Sequence, residues 1–306
     1  MRYSGIGGQA VMEGVMMKNA DRYAVAVRKP DQEIAVEVKD YQGAVKNEKV
    51  RHIPIIRGVL NFIDSLVLGM TTLTYSASFF EEESERKEEL DEAAKKKKEK
   101  LEMGATVAVS IVLAVAVFMI LPYYLSLIFQ RYITSPTLLA LIEGVLRLVI
   151  FIAYVLVISQ VEDIKRVFMY HGAEHKCINC IENGMELTVE NVRKSSRLHK
   201  RCGTSFLLFV LVLSILFFAF IRVDNRIFKV LLRILLVPVI AGVSYEFIRL
   251  AGRSDNKLVD LISKPGLWLQ RLTTKEPDDS MIEVGIASVE AVFDWRAYLK
   301  KEEESQ

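Results

Sequence analysis

Apolar residues along this chain gather into runs long enough to cross a bilayer, separated by polar stretches of differing pattern. A hydrocarbon core about 30 Å thick takes roughly 20 apolar residues in helix, and Gly104 to Phe129 contains no charged residue. A second run, Leu138 to Gln160, encloses Glu143 and Arg147, and a third extends from Thr204 to Ile221. The fourth, Ile227 to Ile248, carries Lys229 and Arg233 near its start and Glu246 near its end. The pattern predicts a mainly α membrane protein with four transmembrane helices.

Outside these runs the periodicity changes. Tyr23 to Val27 and Ile34 to Val38 alternate as strands do, and Pro30-Asp31 between them supplies a turn, so residues 1–52 are expected to hold a small β-hairpin unit. The Gly5-Ile6-Gly7-Gly8 run lacks a preceding strand and the spacing of a dinucleotide loop, which makes a plain turn the expectation there. From Ile53 to Phe80, Arg57, Asn61, Asp64, Thr71 and Tyr75 recur along one helical face, predicting an amphipathic helix in the membrane interface or partly re-entrant. Glu81 to Glu102 holds ten acidic and seven basic residues, with Glu82/Arg86, Glu83/Lys87, Asp91/Lys95 and Glu92/Lys96 four apart, as in a solvated helix. Its Lys95 to Lys98 run reads first as a charged helix end before a membrane span, with binding of anionic lipid at the cytoplasmic surface as the alternative. Beyond the last span, Trp268 reads as an interfacial anchor in a surface appendage. Pro277-Asp278-Asp279 starts an amphipathic helix through Met281, Val284, Ala287, Val289 and Val292 with a face to pack on the N-terminal unit or a partner, and Glu302 to Glu304 reads as disordered. The expected divisions are 1–52, 53–103, 104–160, 161–203, 204–249 and 250–306.

Charge orients the chain. Lys and Arg concentrate in the 161–203 loop and are sparse in the loops between the first two and the last two spans, which places both termini and the 161–203 loop in the cytoplasm. Met1 to Lys18 lacks the pattern of a signal peptide. In that reducing compartment cysteines serve as metal ligands or free thiols rather than disulfides. A net charge of +2 gives no reason to expect nucleic acid. The expected partners are the lipid bilayer and other membrane proteins or a second copy of the chain.

The chemistry gathers in that same loop: three of the four histidines and all three cysteines lie between His171 and Cys202. On a helix, His171 and His175 are about 40° apart, with Glu174 about 60° to the other side of His171. Two imidazoles one turn apart can chelate a divalent metal such as zinc, and the neighbouring carboxylate can take a proton from water the metal activates. This His-x-x-Glu-His order is that of the inverzincins, which need a further protein ligand. Candidates for it are Glu246, His199, Cys202, Glu162 and Asp163. A competing reading uses Cys177-x2-Cys180 and, eighteen residues on, His199-x2-Cys202 as a closed structural Cys₃His zinc site. A third has the histidines bonded to carboxylates and the cysteines buried as small apolar residues. Glu143 and Arg147 are either a functional intramembrane pair or mutually neutralising, and Glu13 is a possible substrate or metal contact. These residues support a metal-dependent hydrolase of peptide, ester or phosphoester bonds, with Glu174 as general base. The alternative is a non-enzymatic membrane-protein assembly or scaffolding factor with a structural metal site. A transporter comes third, for want of polar residues along the spans.

Five blocks together resemble the DUF1385, or YqhQ-like, family: Gly7-Gly8-Gln9-Ala10-Val11-Met12-Glu13-Gly14-Val15-Met16-Met17, His171-Gly172-Ala173-Glu174-His175-Lys176, Arg201-Cys202-Gly203-Thr204-Ser205-Phe206, Tyr245-Glu246 and Pro265-Gly266-Leu267-Trp268-Leu269-Gln270. The likeness extends from Gly5 to about Ala291. It implies one of the uncharacterised proteins, described as predicted metal-dependent enzymes, of bacteria and plastids, here of the bacterial plasma membrane. It implies His171, Glu174 and His175 as the metal and acid/base set, with His199 and Cys202 close behind. In that family the positions of Cys177 and Cys180 are not generally cysteine, which weighs against the closed site as a shared function. The resemblance supplies no substrate.

Overall fold

A computed structural model describes residues 3–41, 43, 45, 48–80, 92–221, 223, 225–252 and 256–304. The predicted helix over residues 81–91, with the partners of three of its four expected ion pairs, lies outside the described residues, as do the side chains of Glu92 and Lys95 to Lys98. The chain forms strands β1 (Gly7–Val11), β2 (Gly14–Asn19), β3 (Arg22–Arg28) and β4 (Ile34–Asp40), then helices α1 (Glu48–His52), α2 (Ile56–Ala77) and α3 (Glu92–Val115). A π-helical turn, Ala116–Ile120, leads to α4 (Leu121–Leu127), followed by α5 (Pro136–Ile158), α6 (Glu162–Glu182) and α7 (Val189–Lys194). The remaining helices are α8 (Gly203–Ala219), α9 (Arg226–Ala251), α10 (Lys257–Thr273), α11 (Asp279–Val292) and α12 (Trp295–Glu303). They divide between two compact units, one of residues 1–80, 155–210 and 238–306, the other of 81–154 and 211–237.

The first unit is built on an antiparallel sheet in the order β1-β2-β3-β4. The expected hairpin is β3 with β4, Arg28 opposite Ile34 and Val27 opposite Ala35. Two further strands precede it: Gly7 and Gly8, expected in a turn, pair with Lys18 and Met17. Both faces of the sheet are covered, which is why β2 and β3 are buried almost throughout. Val15, Met17 and Ala26 pack with Tyr170, Ile178 and Ile181 of α6 and with Met281, Ile282, Val284 and Val289 of α11. Val11, Met16, Tyr23, Val25 and Val27 pack with Leu68 of α2. The C-terminal stretch is therefore core rather than appendage, and α11 starts as predicted, Asp278 accepting a 2.9 Å bond from the Met281 amide. Glu302 and Glu303 close α12 instead of forming an irregular tail.

Helix α2 turns its polar side inward. Asp64, Leu68, Thr72 and Ser76 are buried, while Ile63, Leu66, Val67, Met70 and Leu73 are exposed. Gln9 donates to the Thr72 hydroxyl and the Met12 amide to that of Ser76. Helix α10 repeats the arrangement, with Gln270 and Thr273 buried and Leu258, Leu261, Ile262 and Trp268 exposed. Exposed apolar stripes over a buried polar side are what a lipid-facing helix requires.

Among the described residues, four helical stretches are long and apolar enough to cross a membrane: Ile56–Ala77, Gly104–Arg131, Pro136–Ile158 and Ile227–Ala251. The count matches the expectation, but the membership differs. Gly203–Ala219 has only 17 residues, about 25 Å of helix, and α2 takes its place by length and composition.

The second unit buries an ionic cluster. Glu143 Oε1 accepts bonds from Arg147 of the same helix at 2.7 Å and from Arg233 of α9 at 2.8 Å. Arg147 also donates to the Ser214 hydroxyl and to the Phe118 carbonyl in the π-helical turn. The expected pair is thus a triad.

Candidate metal centre

Helix α6 carries His171, Glu174 and His175, as the spacing predicted. Glu162 and Asp163 occupy its first turn, where carboxylates favour a helix N-terminus. From Tyr170 on it is buried apart from the partly covered His171, and glycines make this close packing possible. A Cβ on Gly172 would collide with the Lys275 carbonyl, and one on Gly285 of α11 would stand 2.9 Å from Cys177 Sγ.

Two main-chain carbonyls set the imidazoles. His171 Nδ1 lies 2.9 Å from the Thr273 carbonyl oxygen, and His175 Nδ1 lies 2.6 Å from that of Arg197. A carbonyl only accepts, so both Nδ1 atoms are donors and each Nε2 is turned to the other side. There, His171 Nε2 lies 3.3 Å from Cys202 Sγ, and one ligand atom from each of His171, His175 and Cys202 falls within 4.8 Å of the others. Such outer carbonyls are how metal-binding histidines are commonly held. A tetrahedral zinc ion with its usual bond lengths separates its ligand atoms by about 3.3–3.7 Å, so this donor set fits with little rearrangement.

Electrostatics bind the trio together. Burial raises the Cys202 thiol pKa, but His171 and His175 outweigh it and hold the thiol well below its ordinary 9.0. Burial likewise opposes charge on His175, yet Cys202 and Glu174 lift it to about 9, and His171 is raised by the same neighbours. Glu174 is buried, its Oε2 3.4 Å from His175 Nε2. Gly8 of β1 packs on it so closely that a Cβ there would lie 2.9 Å from Glu174 Cγ. The trio and Glu174 line a cavity of about 110 Å³ together with Gly7, Gly8 and Arg201.

Other expected ligands are engaged elsewhere. Glu246 is bonded by Arg57 through two nitrogens and by the Ile55 amide at 3.3 Å, so its carboxylate belongs to that pair and not to the trio. His199 lines the same cavity, but its Nε2 faces Glu182 Oε2 at 3.4 Å, and its ring centroid lies 5.8 Å from that of His175. Burial lowers the His199 pKa. Glu182 also takes bonds from Arg201 at 2.5 Å and from the Ser4 amide and hydroxyl. Burial opposes its ionisation, but the His199 and Arg201 hydrogen bonds prevail and depress it to about 2. Glu162 pairs with Lys165 on the surface, and it and Asp163 precede His171 by about 12 Å of helix rise. Glu13 is taken by Arg166 and Tyr170.

The closed Cys₃His set is not assembled either. Cys177 and Cys180 lie in the apolar core, Cys177 against Gly285 and Cys180 donating to the Glu186 carbonyl at 3.3 Å. They are the small buried residues of the third reading. Unforeseen contributors are the Thr273 and Arg197 carbonyls, Gly8 and Arg201. The carbonyls leave no side-chain signal, whereas Gly8 and Arg201 belong to the blocks that carry the family resemblance.

The family described as Protein of unknown function (DUF1385) matches residues 53–295. The uncharacterized protein YqhQ of Bacillus subtilis (strain 168) is 35% identical over 286 residues, covering 92% of this chain and 90% of that protein. No solved structure matches.

Proposed function

The chain belongs to the DUF1385 family, and from that premise we propose that it is a metal-dependent hydrolase working at the cytoplasmic face of a bacterial plasma membrane. The observation that carries the reading is the convergence of His171, His175 and Cys202 on one cavity that Glu174 also lines. Two imidazoles and a thiolate suit zinc better than the hard cations, which prefer oxygen. When bound, zinc supplies Lewis acidity, making water easier to deprotonate and a carbonyl or phosphoryl oxygen more electrophilic.

The residues supply the rest. Thr273 and Arg197 fix the rings, so little reorganisation is needed for Nε2 to act as donor atom. Glu174 is placed to accept the proton of the attacking water and return it to the leaving group. Its burial beside Gly8 keeps bulk water from competing. The apolar faces of α2 and α10 hold this unit against lipid, which favours a membrane-associated substrate. The Lys and Arg excess of the 161–203 loop supports the cytoplasmic orientation.

Metal analysis of the detergent-purified chain tests the site. One zinc per chain is expected, lost in His171→Ala and Cys202→Ser and retained in Glu174→Gln. Turnover of ester, phosphoester and peptide probes should then vanish in Glu174→Gln. A metal-free wild type, or a Glu174→Gln variant as active as wild type, would refute the reading.

A further inference from the structure

The sheet has two edges of opposite character. Strand β4 carries Glu37, Lys39 and Asp40 along its length, charges of the kind that discourage strand addition. Strand β1, Gly-Gly-Gln-Ala-Val, has neither charge nor proline, and Gly7 and Gly8 are exposed. Among the described residues, nothing outside the sheet hydrogen-bonds to the main chain of Gly7, Gly8, Gln9 or Ala10. An unguarded, unpaired edge beside a candidate catalytic centre is an opening for another strand.

What flanks this edge is more specific. The 110 Å³ cavity of the trio lies on the α6 side, where Gly8 meets Glu174. A second cavity, of about 430 Å³, lies on the α2 side and also borders Gly7, Gly8 and Arg201. Successive side chains of a strand point to opposite faces of its sheet. A strand laid along β1 would therefore send alternate residues toward the two cavities.

The larger cavity has a charge to offer. Lys18, opposite Gly7 in β2, lines it, and its ammonium lies 5.0 Å from the Tyr41 ring centroid with no carboxylate in ion-pair contact among the described residues. Asp64, the acid in the same cavity, is already bonded to Arg51 and Tyr41.

We propose that β1 is the docking edge for an extended polypeptide segment that adds to the sheet along Gly7–Ala10 and presents an acidic side chain to Lys18. Docking stands independently of catalysis. Cleavage of the docked segment rests on the hydrolase reading and narrows its substrate to a peptide. In that step the water oxygen bonds to the amide carbon, the C–N bond breaks, and the proton accepted by Glu174 leaves on the amine.

The test uses the full chain in detergent as its Glu174→Gln variant, so that bound peptide persists. The probes are three fluorescein-labelled octapeptides: alternating Thr and Glu, alternating Thr and Lys, and the Thr/Glu peptide N-methylated at alternate amides. Fluorescence anisotropy should show the Thr/Glu peptide binding at least tenfold more tightly than either of the others. Lys18→Glu should invert the preference between Glu and Lys peptides, which loss of fold would not do. Gly7→Phe should weaken the Thr/Glu peptide at least tenfold, since a Cβ there meets nothing within 4 Å and the ring would fill the face of the larger cavity that Lys18 lines, where the acidic side chain must enter. Equal binding of the methylated peptide, no inversion in Lys18→Glu, or no binding by a zinc-loaded chain that hydrolyses ester or phosphoester probes would overturn the proposal. Binding without cleavage by the wild type would instead refute the hydrolase reading and leave the docking edge standing.

Discussion

The two units each bury a knot of polar side chains, and they use it in opposite ways. In the second unit Glu143 accepts from two arginines, and Arg147 spends each guanidinium nitrogen on a separate acceptor: Phe118, Ser214 and Glu143. Among the described residues Arg233 Nε has no hydrogen-bond partner, but its guanidinium lies over the Tyr123 and Phe218 rings. The group is closed on itself. In the first unit, carbonyls consume only the Nδ1 side of each imidazole and leave Nε2, the Cys202 sulfur and Glu174 facing a cavity. Burial alone thus does not mark a candidate site; donors left over after the outer shell is satisfied do.

Removing one member from each group tests the distinction, and the largest effect is expected in the closed one. Glu143→Ala strands two buried guanidinium groups and should cost about 3–5 kcal/mol of stability, read as a lowered unfolding temperature in detergent, with metal content per folded chain unchanged. Cys202→Ser should do the reverse, weakening zinc at least about 100-fold while the melting curve of the metal-free protein moves little. Glu246→Gln serves as its control and should leave zinc binding intact. Gly8→Ala probes the packing between sheet and site: its methyl meets the Met16 carbonyl and Glu174, a strain of about 1–3 kcal/mol that should lower both stability and turnover.

Acid should separate a structural carboxylate from the site itself. Glu182 ionises near 2 in the folded protein against an ordinary 4.5. Because the folded value is the lower, its contribution is complete above about pH 4.5 and is lost as pH falls toward 2. Glu182→Gln should flatten the decline of unfolding temperature in that window. The smallest effect belongs to an exposed pair: Lys194→Ala, which frees Glu190 on α7, should leave the unfolding temperature essentially unchanged, because solvent screens such pairs.

Much of this was legible in the residues because local periodicity carried it. The helix under His171, Glu174 and His175, the β3–β4 hairpin and the start of α11 each rest on neighbours a few positions apart. Strand β1 was illegible for the opposite reason: two glycines and a glutamine have little strand preference, and pairing with β2 overrides it. The third ligand posed a similar problem. Glu246, His199 and Cys202 are equal candidates on spacing, whereas in the structure Cys202 is the one that stands with His171 and His175, Arg57 engaging the first and Glu182 the second. Arg233 escaped notice beside Glu143 because they are 90 residues apart.

The carbonyl that orients His171 belongs to Thr273, 102 residues further along the chain. During synthesis, therefore, the trio exists as a set of residues well before it exists as a site. Both helices α8 and α9 must be made, and α10 folded against the sheet unit, before the ring is held. A chain ending ahead of Thr273 would keep every candidate ligand and still lack a formed centre, so metal loading should follow completion of the C-terminal helices rather than emergence of the histidines from the ribosome.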